Sequence, residues 1–527
     1  MTMVKRSLKG RILWADDEID HLRSHILFLE DRGYTVAPVT NGEDAVSMVK
    51  QESFDLILLD EMMTGMDGLQ TLTQIHEINP TLPVVMITKS EEEDLMERAI
   101  GGKITDYLTK PVNPSQILSS CKRILEKNRI AQEKLTREYT MEFGEISSRL
   151  QDRMEWKDWI DIHAILSERE IDLDLHPDLG LHQTLKDQRK ECNHAFGRYI
   201  HKNYQSWVQG EERPVLSVDL FKKYVIPFIE KDEPTLFIVV DNMRLDQWLV
   251  IEPLLYDLFE IDREHYFSII PTATPYSRNA LFAGLFPQNI EAKYPQIWKQ
   301  GEDDESSRNR HELELLKAQL SRAGLDLKPE PRYVKILDQE EAHRAQQNVD
   351  SFLSAPLVAM VFNFVDILAH RRSESQILRE IVPDESAYRT LTKNWFERSS
   401  LFHILKSAAA SNTKIVLTSD HGSIRAMHGS TVHADRETST NLRYKYGRGI
   451  RGESKHLIDI KDPKTYGLPA RGMNTNYLIA LEDYYFVYPT NYHRYLTLYR
   501  DSLQHGGVSL EEMILPVVTL RGRVQDE

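Results

Sequence analysis

Cysteine is nearly missing from this chain of 527 residues; Cys121 and Cys192 are the only two. That excludes a disulfide framework or zinc knuckles and fits a reducing, cytoplasmic setting. Long apolar runs are missing too, the longest being Pro356 to Val365, so insertion into a membrane is not expected. Near the start, Lys5, Arg6, Lys9 and Arg11 precede only Ile12–Ala15 before two aspartates, which reads as a first strand and not as a signal peptide. Positive charge is in deficit, with 65 Lys and Arg against 81 Asp and Glu and a formal net charge of −16. Broad sequence-independent nucleic-acid binding is thereby disfavoured, which leaves at most a local basic patch. There is no internal repeat, no low-complexity tract and no helix-turn-helix unit with a basic second helix. What remains is an ordinary globular composition, 41% hydrophobic and 28% charged, long enough for about three domains. The expected boundaries are 1–127, 128–208 and 209–527.

Over residues 11–125, short apolar runs at Arg11–Ala15, Thr35–Pro38, Leu56–Leu59, Val84–Ile87 and Asp106–Leu108 alternate with helical segments. This pattern predicts a doubly wound α/β domain with a parallel sheet. Carboxylates fall at two strand ends, Asp16-Asp17 and Asp60, and three such groups together suit a hard cation such as Mg²⁺. The runs "LLDEMMTGMDG" and "YLTKP" closely resemble a response-regulator receiver domain. The resemblance implies that Asp60 accepts a phosphoryl group from a sensor histidine kinase. It also implies a Mg²⁺ and switch set of Asp16, Asp17, Asp60, Met62, Thr88, Lys110 and Tyr107, with Lys110 and Thr88 gripping phosphoryl oxygens. Thr64 stands where the family usually has proline.

From Ile124 to Trp207, apolar residues recur at three- and four-residue steps, which predicts an all-α connector. His176, His182 and His194 lie in it without a carboxylate–histidine cluster at fixed steps and read as solvated or packed side chains. Apolar helical faces in such a connector suit a dimerisation bundle, so a homodimer formed on phosphorylation is expected.

From Val215 onward, five separated stretches carry candidate ligands. Leu236–Val240 is a buried strand ending in Asp241-Asn242, and Ile269–Pro275 leads into a helix at Arg278–Ala283. Val358–Val365 reads as a strand entering Asp366 to His370. Lys414–Leu417 is a strand ending near Asp420-His421, and His505-Gly506-Gly507 follows near the end. Asp366 and His370, four apart, share one helical face and suit one ion.

The set of five, with "HGGVSLEEMILPVV" and "NLRYKYGR", resembles the alkaline phosphatase superfamily, most closely its PglZ branch. A larger α/β domain is implied, with two Zn²⁺ ions. Asp241, Thr274, Asp420 and His421 would surround one ion, and Asp366, His370 and His505 the other. By the same resemblance Thr274 is the catalytic nucleophile, with Thr272 as runner-up. The relatives often carry Asn three residues after the nucleophile where this chain has Ser277, so Ser277, Asn242 or Arg278 is expected to contact the substrate oxyanion. The whole chain resembles PorX-type response regulators, a group associated with type IX secretion.

A basic, aromatic stretch containing Arg436, Arg443, Tyr444, Lys445, Tyr446, Arg448, Arg451 and Lys455 lies beyond His433. With bases to stack on and phosphates to pair with, it points to a nucleotide or oligonucleotide phosphodiester, linear or cyclic, held by residues such as His433, Lys445 and Arg448. The competing reading is a solvated surface loop. The expected function is a two-component regulator whose phosphorylation at Asp60 gates a zinc-dependent phosphodiesterase. The alternative is a metal-stabilised pseudoenzyme, a phosphorylation-controlled interaction or transcription-regulating protein that binds a sigma factor or secretion component.

Overall fold

The structure, a computed structural model, describes residues 9–89, 104–299, 309–411, 413–433, 441–470, 472, 474–490 and 492–523. Two compact units divide the chain, Met1–Glu142 and Phe143–Glu527. The sequence boundary at 127/128 falls inside the first and that at 208/209 inside the second.

In the first unit, strands β1 (Gly10–Ala15), β2 (Tyr34–Val39), β3 (Leu56–Asp60), β4 (Val84–Thr88) and β5 (Asp106–Thr109) form one sheet in the order β2-β1-β3-β4-β5, every pairing parallel. The side chains divide between two cores with the two-residue period of a strand. Ile12, Trp14, Leu56, Leu58, Val85 and Ile87 enter one core, and Leu13, Ala15, Ile57, Leu59, Val84 and Met86 the other. Burial on both faces explains why β3 reads as an unbroken apolar run.

The second unit is built on a six-stranded sheet. Strands β6 (Thr235–Val240), β8 (Arg332–Ile336), β9 (Leu357–Phe362) and β10 (Lys414–Thr418) pair in parallel. The long strand Ile514–Gly522 closes this set antiparallel against β10, and β7 (Phe259–Phe267) pairs antiparallel on its far side. The run expected to remain a strand to Val365 turns at Asn363 and enters helix Phe364–Glu374. Asp366 and His370 therefore sit on a helix. The helix after Ile269–Pro275 begins at Thr274, earlier than Arg278.

Helices Trp156–Asp174 and His182–Val208 belong to this unit. Trp159 meets Phe196 at 5.4 Å between ring centroids, and Trp207 meets Phe267 of β7 at 5.5 Å. Ile162, Leu166, Phe196, Ile200 and Tyr204 are fully buried, each such side chain contributing about 1.5–3 kcal/mol. This corrects the expectation of an apolar face offered to a second chain: on these two helices that face is covered by the chain's own large domain. Among the described residues, no helix is long and apolar enough to cross a membrane.

Candidate functional site

In the first unit, β1 and β3 end side by side, so the ligand atoms of Asp16, Asp17 and Asp60 lie within 4.8 Å of one another. Lys110, just past β5, places its Nζ 3.1 Å from Asp16 Oδ2 and 2.9 Å from Asp60 Oδ2. Burial pushes the Asp60 carboxyl above its ordinary value against the pull of Lys110, and the charge of Asp16 adds to the rise. A cation beside these groups would restore the carboxylate. The Thr88 hydroxyl donates to the Glu61 carboxylate. Tyr107 and Met62 are exposed, and the Thr64 hydroxyl donates to Asp17 at 3.4 Å.

In the second unit the ligand candidates follow the ends of parallel strands, where open α/β sheets gather their sites. Asp241 follows β6 directly and Asp420-His421 follow β10. Asp241, Asp420 and His421 are all buried, with ligand atoms within 4.8 Å. His421 Nε2 lies 3.6 Å from Asp241 Oδ1 and 3.8 Å from Asp420 Oδ2, and neither of those oxygens has a hydrogen-bond partner. On the other side of the ring, Nδ1 meets the Gly422 carbonyl at 3.2 Å, which favours the tautomer with its lone pair on Nε2. Burial and the neighbouring Asp420 push the Asp241 carboxyl well above the carboxylate range despite Arg278. Orphaned carboxylate oxygens beside an imidazole lone pair fit a divalent cation with mixed nitrogen and oxygen ligands.

The second group converges in the same way. His370 Nε2 lies 3.4 Å and His505 Nε2 3.7 Å from Asp366 Oδ1, and the two nitrogens are 3.3 Å apart. The rings of His421 and His505 stack at 4.3 Å, so the two groups adjoin. Asn242 joins them directly: its N–H meets Asp420 Oδ1 at 3.4 Å and its Nδ2 donates to Asp366 Oδ1 at 3.1 Å. Its φ of 65° is the left-handed conformation that Asn tolerates better than most residues. Asp501 ties the supporting segments together. It accepts from Arg372, two residues past His370, and from Arg425, four past His421, and it lies four residues ahead of His505.

Thr274 opens helix Thr274–Ala283, and its Oγ1 lies 2.9 Å from His421 Nε2. Thr272 is engaged elsewhere: fully buried, it donates to the Gly507 carbonyl at 2.7 Å and accepts from Gly506 N at 3.1 Å. That occupation removes it as a nucleophile. Ser277 is likewise buried, between the Ser268 hydroxyl at 2.9 Å and the carbonyls of Ile269 and Pro271. Its hydroxyl is spoken for, which corrects the expectation of a substrate contact. Arg278, one turn past Thr274, reaches Asp241 Oδ2 at 2.7 Å and Glu312 Oε1 at 3.0 Å.

The basic stretch divides. Arg443 is fully buried, pairs with Glu512 at 2.6 Å and donates to the Tyr484 carbonyl. Lys445 is buried over the Tyr488 ring, and Tyr444 is buried with it. These three are framework and do not present a surface to a polyanion, which corrects the expected contact from Lys445. His433, Arg448, Arg451 and Lys455 are exposed, and Arg436 lies outside the described residues. Of the three connector histidines, His194 pairs with Glu482 at 2.7 Å and His182 lies 3.9 Å from Asp174.

Sequence reading missed Glu312, Glu512, Asp501 and a buried charge network. In that network Arg244 holds Asp246 and Glu385, and Arg389 holds Asp246, Glu170 and Asp174. The one available signal was the pair Glu511-Glu512 inside an apolar run, which demands buried cationic partners.

Three family models match the chain in succession. The response regulator receiver domain covers residues 12–122, the PorX response regulator linker domain covers 129–208, and the BREX system PglZ alkaline phosphatase-like domain covers 220–520. Among curated proteins, the transcriptional regulatory protein ZraR of Klebsiella oxytoca is 33% identical over 133 residues, 25% of this chain and 30% of its own length. The transcriptional regulatory protein ResD of Bacillus subtilis is 33% identical over 117 residues, 22% of this chain and 48% of its length. The chain thus spans less than half of either relative. A CheY-like receiver domain from Methanospirillum hungatei is 28% identical and is covered over 99% of its length against 24% of this chain. Its TM-score of 0.23 is too low to carry a fold comparison.

Proposed function

Because the chain belongs to the family of BREX system PglZ alkaline phosphatase-like domains and carries a response regulator receiver domain and a PorX-type linker ahead of it, we propose that it is a phosphorylation-gated, zinc-dependent phosphodiesterase. The observation that carries this reading is the Thr274 hydroxyl, at a helix N-terminus and 2.9 Å from His421 Nε2, beside two adjoining groups of Asp and His. One zinc would be held by Asp241, Asp420, His421 and Thr274, and another by Asp366, His370 and His505. Bound there, zinc supplies Lewis-acid charge that lowers a hydroxyl pKa and offsets negative charge on phosphate oxygens.

The chain's own residues do the rest. Thr274 Oγ1 attacks phosphorus, forming a threonyl phosphoester as the ester P–O bond breaks and the alcohol leaves; water then cleaves the phosphothreonine. The positive end of helix Thr274–Ala283 would favour the phosphate; Pro275 carries no N–H, and those of Tyr276 and Ser277 already donate to the Ala273 carbonyl. Arg278 holds Asp241 in place, with Glu312 fixing the guanidinium. Asn242 keeps the two ligand groups in register.

Nucleotide-type phosphodiesters, linear or cyclic, are the proposed substrates, supported by the exposed His433, Arg448, Arg451 and Lys455. A histidine kinase would load Asp60 with Mg²⁺ bound at Asp16 and Asp17, and phosphorylation would promote a homodimer that orders the zinc cleft. A role in type IX secretion, in the cytoplasm, is part of this reading, supported by the match to the PorX response regulator linker domain. A chromogenic phosphodiester should be hydrolysed faster than the matching monoester, and turnover should vanish in Thr274→Ala with both metals retained. Equal turnover in that variant would sink the reading. For the receiver, a small phosphodonor with Mg²⁺ should label the wild type and leave Asp60→Ala unlabelled, while beryllofluoride should shift the monomer–dimer equilibrium.

A further inference from the structure

A cavity of about 380 Å³ lies within the second unit, away from the Asp and His groups. Its walls come from helices Trp156–Asp174 and His182–Val208, from Arg244 and Asp246, and from Ile424 to His428. That volume suits a small molecule, such sites being roughly 300–1,000 Å³.

The lining is rich in charge, but nearly all of it is already paired. Glu170 is held by Arg189 and Arg389, Asp246 by Arg244 and Arg389, Glu385 by Arg244, and Glu511 by Arg189 and Asn193. Asp483 pairs with His428, Glu482 with His194, Arg425 with Asp501, and Asp187 accepts from Gln183. Among the described residues, three ionisable side chains in the lining have no partner: His163, Lys186 and Lys190. His163 is 1% exposed, and neither ring nitrogen has a hydrogen bond. A buried imidazole with both nitrogens unsatisfied is destabilising unless something binds it. Burial and the charge of Arg189 hold it neutral, so it offers one donor and one acceptor. Lys186 and Lys190, four apart on one helix, share a face.

We propose that this cavity binds a nucleoside monophosphate, the base edge meeting His163 and the phosphate meeting Lys186 and Lys190. A neutral group with both a donor and an acceptor, coupled to an anion, is what the three unpartnered side chains complement. An occupant would also press on the segments that carry the metal ligands. Arg244 lies two residues past Asn242, Ile424 three past His421, and Arg425 grips Asp501. The assignment does not depend on the proposed reaction, since binding is read without turnover.

The test is calorimetry and thermal shift on the zinc-loaded full chain carrying Thr274→Ala, with AMP and GMP as probes and adenosine and inorganic phosphate as separate arms. A nucleotide should bind and raise the melting temperature, more weakly by roughly tenfold or more in the surface double variant Lys186→Glu/Lys190→Glu. His163→Leu should weaken nucleotide without affecting phosphate. Three results overturn the proposal. They are no binding of either nucleotide, undiminished binding by the double variant (which would place it in the metal cleft), or adenosine or phosphate alone binding as tightly as AMP.

Discussion

The two units solve one problem in different ways. Each brings carboxylates together at neighbouring strand ends, and each must offset their repulsion. In the first unit the trio is all oxygen: Asp17 is exposed, and Lys110 supplies a built-in cation at 2.9 Å from Asp60. Such a pocket suits a hard, exchangeable ion and a transient negative guest. In the second unit the first group is wholly buried, imidazole joins the carboxylates, and Arg278 hydrogen-bonds one oxygen of Asp241 and lies 3.9 Å from Asp420 Oδ2. Orphaned inward oxygens remain. Strand-end topology alone therefore does not set the chemistry; donor type and solvent access decide between a switch and a reaction centre.

The sharpest way to break this contrast is the hydroxyl that only the second unit has. Thr274→Ala is expected to lower phosphodiester turnover by roughly a thousandfold or more, with elemental analysis still finding two metals. Next comes the role of the outer cation. Arg278→Met leaves Asp241 and Glu312 buried without it and should destabilise the metal-stripped protein by about 3–5 kcal/mol. Zinc should recover much of that loss, as a comparison of denaturant midpoints with and without metal would show. Asp501→Asn loosens the tie between the segments bearing His370 and His505. Overall zinc affinity should fall roughly ten- to a hundredfold in a competitive titration. The smallest effect concerns His265, which burial pushes down to about 4. Unfolded, it takes up a proton below about 6.5 that the folded chain refuses, so stability is retained above that pH and lost as pH falls towards 4. At pH 5.5 the loss is about 1 kcal/mol, and His265→Gln should flatten that part of the melting-temperature profile.

Much of both sites is legible in sequence because most of the carboxylate ligands sit at the end of, or one to four residues beyond, apolar strands that are recognisable by themselves. Asp60 ends β3, Asp241 follows β6 and Asp420 follows β10. What escapes is partnership across the chain. Arg278 and Glu312 are 34 residues apart and Arg443 and Glu512 are 69 apart, and nothing local tells a buried arginine from a solvated one. Sequence therefore places Arg443 with the surface cations, whereas it is core. Helices Trp156–Asp174 and His182–Val208 were legible as amphipathic, but periodicity says only that a face is covered and not by what. Thr272 and Thr274 are alike in sequence, and only the engagement of Thr272 with Gly506 and Gly507 separates them.

Asn242 has a consequence for how the protein matures. One backbone N–H and one side-chain amide reach into different ligand groups from a single left-handed residue, so drawing either aspartate toward an ion re-aims the other. Loading should then be cooperative, with half-filled molecules scarce and the population divided between empty and full. A cell short of metal would hold fewer working copies, each complete, instead of many impaired ones.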